Sequence, residues 1–119
     1  MNSAKILKTT FSNISFRLEV EKKDSLQLKI ETKSRILPPN DKDNKTALFI
    51  IKAKINDVDA QDIEIVVTAN IIFEFDEIPE DYNTVATDLC LKMAQQTVFE
   101  KIDNILMEMG FPKFGIQTN

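Results

Sequence analysis

Residue types that could perform catalysis are scarce in this sequence. It contains no histidine and one cysteine, Cys90, among 119 residues. A Ser-His-Asp triad and a Cys-His pair both need a histidine, so neither can form. One cysteine cannot form a disulfide or a thiolate metal site within a single chain, and we interpret Cys90 as a small buried hydrophobe on a helix. We therefore predict that the protein is not an enzyme.

The carboxylates are the remaining candidates for chemistry, and an enzyme built on them would need a pocket with a strongly shifted Asp or Glu pair. Asp57, Asp59 and Asp62 resemble the ligands of a calcium loop, but the turn glycine and the terminal glutamate of such a loop are missing. A second acidic group comprises Asp76, Glu77, Glu80 and Asp81. It precedes a predicted helix, and negative charge at this position complements the helix dipole. We expect no metal ion and no cofactor.

Size and charge restrict the possible partners. At 13.6 kDa, the chain should form one domain over residues 1–119. The net charge is -4, and no block of Lys or Arg could neutralise phosphates, so we expect no nucleic acid partner. No apolar run reaches the roughly 18 residues that span a bilayer, and residues 1–8 lack the apolar segment of a signal peptide. We expect a cytoplasmic protein without membrane insertion.

Four segments alternate strictly between apolar and polar residues, which predicts β-strands. They cover residues 14–20, 26–30, 49–55 and 63–75. The prolines and polar residues of segment 38–45 predict the longest loop. Because parallel pairing would need long crossovers, the short connections favour antiparallel neighbours. Charged residues would share the face opposite the apolar one, exposed to solvent and pairing across strands: Arg17, Lys29, Glu31, Lys52, Lys54, Glu64 and Glu74.

An amphipathic pattern from about Thr84 to Met109 predicts one long C-terminal helix on the apolar face of the sheet. The fold class is thus α+β, with a four-stranded antiparallel sheet and this helix packed on one face. One stripe of the helix should contact the sheet: Leu91, Ala94, Val98, Ile102, Ile105 and Met109. Gly110 fits a left-handed helix cap, and Pro112 prevents the helix from resuming.

A second apolar group on the helix lies more than a quarter-turn from this stripe. It consists of Val85, Leu89, Phe99 and Met107. A monomer with one helix on one sheet would leave this group exposed, and an exposed patch of this kind usually marks an interface. We predict that it forms an oligomer interface; the alternative is that a loop such as residues 37–39 covers it.

The order of elements resembles the SecB-type protein-export chaperones of bacteria. The resemblance rests on the strands at 26–30, 48–55 and 63–75 and on the segment that follows the helix, Gly110-Phe111-Pro112-Lys113-Phe114-Gly115-Ile116. It implies a cytoplasmic, ATP-independent holdase for unfolded or precursor polypeptides that assembles as a homo-oligomer, dimer or tetramer, and delivers its clients to SecA. The family's second C-terminal helix has no counterpart before Asn119, so we expect a short form of the fold.

Residues near the helix end are candidates for polypeptide binding. Met107 and Met109 can repack against varied partners, and Phe111 and Phe114 lie beside them in the sequence. We assign Phe11, Phe73 and Phe75 to the adjoining sheet edge, where an extended client could add a strand. Core packing is the alternative for the phenylalanines. The alternative function is an oligomeric adaptor or a client-specific, antitoxin-type binding protein without a translocase role.

Overall fold

The computed structural model describes residues 3–19, 28–57 and 62–115. The strands are β1 (Ala4–Leu18), β2 (Leu28–Leu37), β3 (Thr46–Asp57) and β4 (Ile63–Phe75), and they form one antiparallel sheet in the order β1-β4-β3-β2. Helix α1 (Tyr82–Val85), a π-helical turn (Ala86–Cys90) and helix α2 (Leu91–Glu108) then follow without a break. We call these three elements together the long helix. The predicted α+β fold class is confirmed.

The strands β1 and β2 are longer than their alternating patterns predicted. In β1 the pairing with β4 shifts between Ile6 and Lys8 and again between Phe11 and Asn13. Each shift inserts an extra residue, which breaks the two-residue period, so the alternating pattern predicts only the part from Ile14 onward. The predicted positions that lie outside the described residues are Val20, Leu26, Gln27, Asp59 and Ile116.

β2 continues past Ile30 for a different reason. Thr32 and Ser34 occupy the face of the sheet that carries the apolar residues, opposite Ala53 and Ile51 of β3. Two polar residues at apolar positions hide the alternation, although the strand still pairs with β3 through all of its residues. By contrast, β4 has the predicted limits because its apolar face is uninterrupted.

The core lies between the long helix and the two central strands. Phe49 of β3 and Phe73 of β4 meet edge to face, with ring centroids 5.9 Å apart. On the long helix, five fully buried residues recur at a spacing of four: Cys90, Ala94, Val98, Ile102 and Leu106. Of the predicted stripe, Leu91 and Ile105 are only half-buried and Met109 is exposed. The helix ends at Glu108, so Met109 already belongs to its cap.

Part of the second apolar group is covered within the chain, contrary to expectation. Val85 is 5% exposed and Phe99 is 6% exposed. The buried stripe is wider than a narrow seam: Phe99 precedes buried Leu106 by seven residues, which places both side chains on nearly the same side of the helix. Leu89 is half-buried, and Met107 is 58% exposed. Because Val85 and Phe99 are already buried within the chain, their apolar character does not indicate an oligomer interface.

Both ends of the long helix have specific caps. Asp81 accepts hydrogen bonds from the backbone N–H of Asn83 (3.0 Å) and the hydroxyl of Thr84 (2.9 Å). At the other end, Gly110 has φ +90°, and its N–H donates to the carbonyl of Met107 (3.1 Å). Together with the bond from Phe111 N–H to Leu106 O (2.9 Å), this forms a Schellman motif. The predicted left-handed cap at Gly110 is confirmed.

Candidate functional site

A single helix is too narrow to cover this sheet. A helix with its side chains is about 10–12 Å wide, whereas strands lie about 4.8 Å apart, so it covers about two of the four. We call the covered side of the sheet the helix face and the opposite side the outer face. On the helix face, Ile14 of β1 is 43% exposed although its partner Val67 of β4 is fully buried. Likewise, Ile30 of β2 is 41% exposed opposite the fully buried Ile55 of β3.

The uncovered part of β1 forms an apolar surface beside the long helix. We call it the β1 flank, and it consists of Ile6, Phe11, Ile14 and Phe16, which pair with helix-face residues of β4. Ile6 is 37% exposed, and both phenylalanines are half-buried. The ammonium of Lys101 lies 5.3 Å from the centroid of the Phe11 ring, a cation–π contact that joins the helix to this flank.

The uncovered part of β2 lies at the opposite edge of the sheet, on the same helix face. This β2 flank consists of Leu28, Ile30, Thr32, Ser34 and Ile36. Between it and the start of the long helix is a groove of about 180 Å³, whose lining includes Ser34, Ile36, Phe49, Asn83, Thr87 and Leu91. The π-helical turn borders this groove: Leu91 N–H donates to Ala86 O, five residues back. Turns of this type are frequent at functional sites.

The two outer strands also give the sheet two open edges. β1 and β2 lie at the edges of the sheet, and no strand within residues 3–19, 28–57 and 62–115 pairs with their outer sides. An open edge can accept an extended chain as an additional strand. Side chains of such a chain would alternate between the two faces of the sheet, and half of them would meet the β1 or β2 flank.

The tail after the helix is bound back onto it. Asp103 Oδ1 accepts hydrogen bonds from the N–H groups of Phe114 (2.8 Å) and Gly115 (3.3 Å). The side chains of Phe111 and Phe114 are half-buried and pack against the core. Both phenylalanines therefore contribute to packing, with only part of each ring accessible.

The structure does not bring the predicted polypeptide-binding residues into one site. Phe73 and Phe75 are 0% and 2% exposed and belong to β4, a central strand, so their assignment to a sheet edge is wrong. Lys101, which covers Phe11, and Asp103, which binds the tail, are two residues apart and thus about 200° apart around the helix. Phe11 and Phe114 consequently lie on opposite sides of the helix.

Met107 and Met109 are the accessible members of the predicted set. They are 58% and 45% exposed at the end of the helix. Sequence reasoning missed the exposure of Ile6, Ile14 and Ile30 because it treated the whole apolar face as covered. The relative widths of one helix and four strands were the signal that could have revealed it.

The single cysteine, Cys90, is fully buried. Burial raises the pKa of the Cys90 thiol to about 11, which keeps it protonated and unreactive. Within the described ranges, no three Cys, Asp or Glu side chains are grouped so that they could hold a metal ion. In the same part of the chain, no helix combines the length and apolar character needed to cross a membrane.

Comparison with known proteins finds similarity at the level of the fold. No model of a known protein family matches the sequence, and no curated protein matches it. A similar solved structure is the Mycobacterium tuberculosis Rv1957 SecB-like chaperone in complex with a ChAD peptide from the Rv1956 HigA1 antitoxin. The TM-score is 0.74 at 12% sequence identity, over 98% of this chain and 90% of the other. The chain therefore has the SecB-like fold, as the resemblance implied.

Proposed function

We propose that this protein is a non-catalytic, ATP-independent chaperone that holds unfolded or precursor polypeptides. The observation that carries the proposal is the exposure of Ile6, Ile14 and Ile30 on the helix face, next to open sheet edges. An extended apolar segment could there bury side chains and form backbone hydrogen bonds at once. The SecB-like neighbour, whose structure contains a peptide of an antitoxin, supports a polypeptide as the ligand.

The expected affinity follows from opposing contributions. Burying one large apolar side chain stabilises a complex by roughly 1.5–3 kcal/mol. Ordering a disordered client offsets much of this gain, so one flank should bind with micromolar affinity. A client long enough to occupy several flanks of an oligomer would bind more tightly. Met107 and Met109 extend the adaptable apolar surface at the helix end.

The same exposed residues favour self-association. A homo-oligomer, dimer or tetramer, could cover part of the flanks together with Leu89 and Met107, the accessible members of the predicted interface. We further propose that the protein acts in the cytoplasm and that its clients include exported precursors, with SecA as a candidate recipient. These assignments rest on the SecB-like fold alone.

A client-specific binding protein of the antitoxin type is the second candidate. It is favoured by the antitoxin peptide that the neighbouring SecB-like chaperone binds. Such a protein, or an oligomeric adaptor, would bind one partner with saturable affinity and would ignore unrelated unfolded chains. The two candidates therefore differ in how many clients they accept.

The decisive test measures aggregation of a denatured reporter enzyme in the absence of ATP. We expect the protein to suppress it, and the double variant Ile14→Thr/Ile30→Thr to lose most of this activity. Threonine keeps the β-branched shape that strands favour while removing apolar surface. Ile78→Thr is the matched control, because Ile78 is 44% exposed and belongs to neither flank.

Each outcome separates the candidates. Full protection by the double variant would show that the flanks are not the binding surface. Failure of the parent protein to protect several unrelated reporters would contradict the general holdase. Selective binding of a single partner in the same assay would favour the client-specific alternative.

A further inference from the structure

The outer face of β2 and β3 is strongly basic although the chain as a whole is acidic. The cross-strand register places five cations and one acid on this face: Lys29, Lys33, Arg35, Lys52, Lys54 and Glu31. We call this set the basic face. The net charge of the chain is -4, so the remaining surface carries the excess of acidic residues. The cations come from two separate strands, which is why they form no block in the sequence.

The charges of the basic face are poorly compensated. Lys33 of β2 and Lys52 of β3 lie directly opposite each other, and like charges in this position destabilise a sheet. Glu31 is bound by the Lys29 ammonium at 2.9 Å, and this hydrogen bond is the main cause that lowers its pKa. No salt bridge within the described segments involves Lys33, Arg35 or Lys52. An external anion would complete this arrangement.

Protection of an open sheet edge explains only part of the pattern. Lysine on an edge strand discourages unwanted pairing with another chain, which could account for Lys33 on β2. Lys52 and Lys54, however, lie on β3, which has neighbours on both sides. The basic charge therefore extends beyond the edge strand, and protection of the edge does not explain the lysines of β3.

An apolar row adjoins these cations on the same face. Leu37, Leu48 and Ile72 lie side by side across β2, β3 and β4, and Leu37 is 40% exposed. Ile50 lies opposite Arg35, between this row and the lysines. A partner that matches the surface would need negative charge and apolar side chains close together.

We propose that the basic face docks an acidic polypeptide segment that carries apolar residues among its carboxylates. The apolar row favours a peptide over nucleic acid, and the outer face of the described strands has no aromatic side chain on which a base could stack. Leu37 is 40% exposed, but Leu48, Ile50 and Ile72 are half-buried, so the row offers little apolar surface for insertion into a membrane.

This docking surface is separate from the flanks proposed for client binding. Residues of the basic face point to the side of the sheet opposite the long helix, so an acidic partner and an apolar client could bind at the same time. The inference does not depend on the proposed chaperone function, because the charge and register of the two strands are its basis.

The test measures the fluorescence anisotropy of a labelled peptide with the repeating sequence Asp-Glu-Leu. Lys52→Glu should weaken its binding about tenfold, since reversing a charge within the contact changes attraction to repulsion. Lys92→Glu is the matched control, because it changes the net charge equally on an exposed position of α2 and should alter affinity less than about twofold. Lys52→Glu should not lower the melting temperature, because it removes the like-charge pair with Lys33.

Several results would overturn the proposal. Equal weakening by Lys52→Glu and Lys92→Glu would show a nonspecific effect of net charge. Comparable affinity for oligothymidylate or for vesicles of phosphatidylserine would identify a general polyanion surface or a membrane surface. Displacement of the peptide by a denatured reporter would place it on the flanks. Tight binding of a control peptide with lysine in place of the acids would exclude charge recognition.

Discussion

Asp103 Oδ1 lies 2.8 Å from the backbone nitrogen of Phe114, and this hydrogen bond returns the tail to the side of the long helix. A carboxylate that accepts backbone N–H groups forms stronger hydrogen bonds than a neutral acceptor. The bond holds the segment that follows the Gly110 cap, so that Phe111 and Phe114 can pack against the core. The tail is thus held by the Asp103 carboxylate and by the packing of two phenylalanines.

Asp103→Ala should release the tail. We expect faster hydrogen exchange at the Phe114 amide and a loss of about 1 kcal/mol in the free energy of unfolding. Glu100→Ala, at an exposed helix position, is the control for the change in helix propensity. Unchanged exchange at Phe114 would show that packing alone holds the tail.

Substitutions on the helix should separate folding from assembly. Phe99→Glu buries a charge at a position that is 6% exposed, so it should destabilise the monomer by at least about 3 kcal/mol. Met107→Glu changes a position that is 58% exposed and should leave the unfolding midpoint nearly unchanged. If Met107 lies in an oligomer interface, light scattering should detect a smaller particle for this variant. An unaltered particle size would exclude Met107 from that interface.

The cap at Asp81 should make stability sensitive to acid. Hydrogen bonds from the Thr84 hydroxyl and the Asn83 N–H lower the pKa of Asp81 below its ordinary value of 3.8. Because the pKa of Asp81 is lower in the folded than in the unfolded state, ionised Asp81 stabilises the folded protein at pH values above its unfolded-state pKa. This contribution is lost as pH falls below about 4. Asp81→Ala should lower the melting temperature at neutral pH, whereas Asp81→Asn should keep the cap.

Thermal unfolding of both variants between neutral pH and pH 3 checks this prediction. Asp81→Asn cannot ionise at this position, so its stability should fall less steeply in acid than that of the parent. Identical pH profiles for parent and Asp81→Asn would mean that the cap contributes nothing to acid sensitivity.

Cys90 should behave as an inert thiol in the folded protein. Burial raises its pKa from 9.0 to about 11, so the folded state retains its proton longer than the unfolded state. Stability should accordingly decrease as pH rises from about 9 towards 11. At pH 8 a thiol reagent should modify the native protein far more slowly than the unfolded protein. Cys90→Ala should remove this part of the alkaline sensitivity; rapid labelling of the native protein would contradict burial.

The sequence by itself determined the fold class, the limits of β4 and the cap at Gly110. These features depend on local patterns: an uninterrupted alternation in β4, and a glycine followed by proline at the end of a helical stripe. The longer extents of β1 and β2 were hidden, because bulges and the polar residues Thr32 and Ser34 interrupt the alternation while the strands continue to pair.

Only the tertiary structure decided which apolar residues are buried and which remain accessible. Strand order places β1 and β2 at the edges, where one helix cannot reach, so Ile14 and Ile30 are exposed while Phe73 is core. Cross-strand register likewise joins Lys33 to Lys52, which are far apart in the sequence. Periodicity specifies the face of the sheet to which a side chain points. Whether that side chain is buried, and which residues it contacts, depends on the order of the strands and on the width of the helix that covers them.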